Sequence, residues 1–137
     1  MPATDTQQIE QSVVAAYAAY FADFQRHDRA ATAAHFTAPL CHVREGRVTI
    51  FTTEPDVANL LETIWAALST KDYVRSSLTG RAVTVLDDHT ALLRAQGTRY
   101  DRSDVAFEDF DLLYTLVRAG PGDAWRITVI TSIAQGR

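Results

Sequence analysis

The stretch FEDFDLLYTLVR, residues 107–118, limits how this chain can fold more than any other. It is rich in strand formers, and alternation puts Phe110, Leu112, Tyr114 and Leu116 on one side and Leu113, Thr115 and Val117 on the other. A strand that is apolar on both sides has to be covered on both sides. Its neighbours VRSSLTGRAVTVL, TALLRAQGTRY and WRITVITSI are strand-like too, and the turn sequences DDH, DRSD and AGPGD separate the four runs. Turn chemistry at successive points predicts an antiparallel meander.

The first half of the chain supplies cover for one face. From Thr4 to about Gln25, the residues Ile9, Val13, Ala16, Tyr17, Tyr20 and Phe24 recur at three- and four-residue spacing, which places them on one face of a helix. Asp28 is a good N-cap for a second short helix, RAATAAHF, which Pro39 should stop by the residue before it. CHVREGRVTIF reads as a hairpin around Glu45-Gly46, with glycine where positive φ is needed. Thr52 or Thr53 can cap a third helix with Pro55 in its first turn. That helix repeats Val57, Leu61, Ile64, Trp65 and Leu68 on one face and should end near Lys71-Asp72. The helices can cover one face of a curved sheet; a second copy of the chain is the economical cover for the other, so the pattern predicts a homodimer through the sheet face.

Composition narrows the function classes. At 137 residues and 47% hydrophobic, the chain suits one domain, residues 1–137, with a core that needs no metal or disulfide staple. A net charge of -4 with scattered basic residues argues against a nucleic-acid partner, because phosphate binding rests on clustered Lys and Arg. Cys41 is the only cysteine, which rules out an intramolecular disulfide and a Cys-based zinc site and fits a reducing cytoplasm. The polar start MPATDTQQIEQS is unlike a signal peptide, and no apolar run approaches the roughly 20 residues that span a membrane. The reading is a soluble cytoplasmic protein. No pair among His27, His35, His42 and His89 has metal-ligand spacing, so neither a metal nor a cofactor is expected.

The order helix, short helix, hairpin, helix and then four long strands, with YFADFQRHDRAATAAHF and the terminal AWRITVITSI, resembles the nuclear transport factor 2-like superfamily over nearly the whole chain. Within it the sequence is most similar to the SnoaL-like and ketosteroid-isomerase-like branch of small bacterial proteins. The resemblance implies an α+β fold: a cone-shaped, mostly antiparallel sheet wrapped around the long N-terminal helix and two further helices, enclosing a deep pocket. It implies no single activity, since one such fold hosts many. On the gap-free register from Asp28 to Phe36, Tyr20 matches the isomerase's oxyanion-binding tyrosine, whose hydroxyl stabilises an enolate. The same register sets Arg44 where the isomerase has its general-base aspartate. A guanidinium offers no lone pair to a proton, so the steroid-isomerase mechanism is disfavoured.

Site candidates follow from combining the two readings. Tyr20, His42 and Asp111 are the candidate catalytic residues: a hydroxyl donor, an imidazole that titrates near neutrality, and the carboxylate sharing a face with Leu113. Tyr17, Phe24, Trp65 and Leu113 are expected as pocket wall, with Arg44 and Asp109 at its polar end. Arg99, on the preceding strand, could pair with Asp109 or Asp111. For the strand at residues 40–45, simple patterning turns Cys41 and Val43 inward, whereas the resemblance turns Arg44 inward. Two functions stay open: a cone holding a small, largely apolar molecule, with proton-transfer chemistry of isomerase, cyclase or dehydratase type, or a non-catalytic accessory module whose cone its own side chains fill.

Overall fold

The computed structural model describes residues 3–135. Helix α1, Ala3–Gln25, buries Ile9, Val13, Tyr17, Tyr20 and Phe24 along one stripe. Each such side chain withdrawn from water contributes roughly 1.5–3 kcal/mol, so the stripe is what holds the helix to the sheet. His27, at φ 59, ends it in the left-handed region. Helix α2, Arg29–Ala33, is capped by Asp28, whose carboxylate accepts from the Ala31 N–H at 3.1 Å.

Helix α2 is shorter than predicted, and Pro39 lies inside a strand instead of ending a helix. The competing interaction is sheet pairing: the Ile127 N–H donates to the His35 carbonyl at 2.8 Å, and strand β1, Phe36–Arg44, starts at the next residue. Pro39 falls where the β1 register shifts between Phe36 and Cys41, a place that tolerates a missing N–H. Strand β2, Arg47–Phe51, closes a hairpin through Glu45 at φ 50 and Gly46 at φ 79, so both turn residues are left-handed. Helix α3, Glu54–Ser69, opens with a reciprocal cap: the Asp56 N–H donates to Thr53 Oγ1, and the Thr53 N–H to the Asp56 carboxylate. It buries Val57, Leu61, Trp65 and Leu68, while Ile64 is half-buried.

Strands β3 (Tyr73–Val85), β4 (Thr90–Asp101), β5 (Ala106–Val117) and β6 (Arg126–Ser132) form the meander. The six strands run in the order β2-β1-β6-β5-β4-β3, antiparallel except for β1 beside β6. The sheet is curved and unclosed. On β4 the buried column Ala91, Leu93, Ala95, Gly97 alternates with Leu92, Arg94, Gln96 and Thr98. The small side chains leave room for α1, so that column marks the inner face. Register carries the assignment across the sheet: Leu93 opposes Tyr114, Tyr114 opposes Ile130, and Ile130 opposes His42. Among the described residues no helix is long and apolar enough to cross a membrane.

Candidate functional site

A half-open cavity of about 890 Å³ lies between α1, α3 and the inner face of the sheet. Its deep end is aromatic. Tyr17 and Tyr20 on α1 and Tyr114 on β5 stand with ring centroids 5.2–5.8 Å apart, all buried, all on its lining. Burial raises all three phenols, Tyr20 to about 12, against the smaller lowering that hydrogen bonding with Tyr114 gives Tyr17 and Tyr20. The phenols therefore stay protonated at any physiological pH, as hydrogen-bond donors.

Strand β1 settles the competition between patterning and register. His42 and Arg44 line the cavity, with Leu40 fully buried on the same side, while Cys41 and Val43 face the other way. The expectation from simple patterning is thus overturned. An apolar residue marks a covered face, but this inner face borders open space, where polar side chains are admitted. His42 Nε2 lies 3.0 Å from Ser132 Oγ, and burial, then the neighbouring Arg44 charge, holds its pKa below the usual 6.5. Arg44 is exposed at the mouth and makes no ion pair among the described residues.

Asp109 and Asp111 border the same cavity, but their carboxylates are committed to the opposite face of the sheet. Thr98 Oγ1 donates to Asp109 at 2.8 Å. Asp111 is buried and accepts from Arg94 Nε at 2.9 Å, Arg94 Nη2 at 2.6 Å and Gln96 Nε2 at 3.3 Å. The Arg94 bond is the largest influence holding its carboxyl below the usual carboxylate range, which makes it a poor base.

Two expected wall residues are corrected. Leu113 sits on the outer face and its neighbour Leu112 lines the cavity; β5 is apolar on both sides, so its sequence could not choose between them. Trp65 is core, its Nε1–H donating to the Phe24 carbonyl at 3.2 Å and its ring packed on Phe24 and His27, while Phe24 itself lines the cavity. Arg99 pairs with neither aspartate: its Nη1 lies 2.5 Å from Glu108 Oε1 and its guanidinium covers the Phe110 ring at 4.9 Å. Tyr114 and Arg99 are among the lining residues absent from the site expected from sequence. The alternation of β4 was the available signal, since Leu93 opposes Tyr114 and Arg99 continues the inner column. Among the described residues no group of three or more His, Cys, Asp or Glu side chains could hold a metal ion.

A family model described as NTF2-like protein (DUF6841) matches residues 7–135. Among solved structures, an NTF2-like protein with a cystatin-like fold from Novosphingobium aromaticivorans superposes with a TM-score of 0.73 at 16% identity, covering 98% of this chain and 87% of that one. A ketosteroid isomerase-like protein from Erwinia carotovora atroseptica gives 0.62 at 17% identity, with 91% and 96% covered. A protein of unknown function with a cystatin-like fold from Nostoc punctiforme gives 0.67 at 12%, with 96% and 92% covered. At these identities the likeness concerns fold alone. No curated protein matches the sequence.

Proposed function

The chain belongs to the NTF2-like (DUF6841) family, and from the cavity of this fold we propose that it binds one small, largely apolar molecule whose carbonyl oxygen the buried tyrosines polarise. The observation that carries this reading is the cluster Tyr17, Tyr20 and Tyr114, protonated donors at the deep end of a cavity of about 890 Å³. That size falls in the range of small-molecule sites, and a few convergent polar groups in an apolar cleft are their usual composition. Hydroxyls aimed at a carbonyl stabilise the charge that develops when a neighbouring proton is removed. His42 is the group fitted to move that proton: its neutral form is favoured, and its bond to Ser132 occupies only one ring nitrogen. Arg44 cannot play the part, and the Asp111 carboxylate already accepts three hydrogen bonds.

The open cavity favours ligand binding over an accessory module with a self-filled cone. A second copy of the chain is the proposed cover for the outer face, and a reducing cytoplasm the proposed setting for the lone Cys41. The test is native mass spectrometry with the apolar ketone 2-acetylnaphthalene. A one-to-one complex is expected, weakened about five- to tenfold by Tyr20→Phe through loss of one hydrogen bond. Absence of any complex overturns the reading.

A further inference from the structure

The reading of the cone as a ketone site leaves Arg99 without a role beyond its ion pair with Glu108. Arg99 extends the inner column of β4, and its side chain is 18% exposed, so this is a cation largely withdrawn from water. Its place is built. A Cβ at Gly97 would collide with the Phe110 ring and the Ser77 carbonyl, so glycine is what lets Phe110 lie against β4. The Arg99 guanidinium then rests on that ring, 4.9 Å from its centroid.

What the guanidinium lacks is acceptors. Among the described residues its only ion-pair partner is Glu108, through Nη1, and the Glu108 side chain is half-exposed, free to turn outward into water. Among the described residues Nε is buried with no hydrogen-bond partner. Buried donors are nearly always matched, so a guanidinium whose Nε has no acceptor and whose one carboxylate partner is half-exposed is weakly compensated for a cation on a cavity wall. The other cavity cations, Arg44 and Lys71, are exposed, where water screens any pairing. The Arg99 charge also reaches the phenols, since it is among the influences that lower Tyr17 and Tyr20.

We propose that Arg99 is an anion subsite of the cone and that the molecule bound there is an apolar carboxylate, which displaces the half-exposed Glu108 from the guanidinium and takes its place as the charge partner. This deepens, and rests on, the reading of the cone as a small-molecule site. A carboxylate fits better than a phosphate, because a single guanidinium resting on Phe110 balances one negative charge and not two.

The experiment is calorimetric titration at pH 7.5 with two probes of similar shape, 2-naphthoate and the neutral 2-acetylnaphthalene. The expected result is an affinity for naphthoate at least about tenfold above that for the ketone. Arg99→Gln should abolish the preference for naphthoate over the ketone. Glu108→Gln removes the competing anion from a half-exposed position, so it should tighten naphthoate about three- to tenfold; this variant decides the matter even if Arg99→Gln fails to fold. Ketone binding without a naphthoate preference overturns the anion subsite while the small-molecule reading stands. So does loss of the preference in Arg44→Gln but not in Arg99→Gln, or unchanged naphthoate affinity in Glu108→Gln. Binding of neither probe overturns both.

Discussion

His42 stands between two influences that favour its neutral form, partial burial and the Arg44 charge. As pH falls through about 6.5 the unfolded chain takes up the proton first, so the contribution of His42 to stability is complete above that value and is lost as pH drops toward its lower folded pKa. The Cε1 proton of His42 should titrate with a midpoint below 6.5 in an NMR pH series, and Arg44→Gln should move that midpoint upward. A midpoint at or above 6.5 in the native protein would remove His42 as the neutral base. Tyrosines 17, 20 and 114 obey the same physics with the opposite charge. Desolvation penalises the phenolate, and the hydroxyls remain donors.

At the scale of elements, the paired strands β4 and β5 decide most of the site. Gly97→Ala forces a methyl against the Phe110 ring and a backbone carbonyl, and should cost about 1–3 kcal/mol in urea denaturation, with the Phe110 ring resonances shifted. Asp111→Asn removes charge-assisted bonds to Arg94, whose other end is solvated. It should cost about 1–2 kcal/mol and leave 2-acetylnaphthalene binding unchanged. Because the folded carboxyl of Asp111 is held low, its contribution to stability is present above the ordinary carboxylate range and lost as pH falls through its folded value. The helices were legible in sequence because a one-sided stripe such as Ile9, Val13, Tyr17, Tyr20 and Phe24 has one physical solution. The faces of β1 and β5 were not. Hydrophobicity reports cover, and β5 is covered or apolar on both sides while the inner side of β1 meets a cavity. Only the neighbouring strand β4, with its column of small residues, carried the missing information. Helix α2 is shorter than its local propensity predicts because His35 and Phe36 gain hydrogen bonds by joining β6, a tertiary gain no local window contains.

For the whole molecule, the outer face of the sheet is the counterpart of the cavity. Leu113 and Val129 lie on it, and at its β2 edge Val48 and Ile50 are 61% and 63% exposed. The proposed second copy would cover this surface. Light scattering should give twice the 15.2 kDa of one chain, and Leu113→Glu should return it to a single chain. A native mass of one chain at tens of micromolar would contradict that cover while leaving the cone untouched. The central claim concerns the cone, and the most direct measurement of it is an amide chemical-shift map recorded as 2-acetylnaphthalene is added. The expected result is saturable shifts gathered on Tyr17, Tyr20, Phe110, Leu112, Tyr114 and Ile130, all on the cavity wall. Shifts confined to the outer residues Arg94, Gln96, Leu113 and Val129, or none at all, would contradict it.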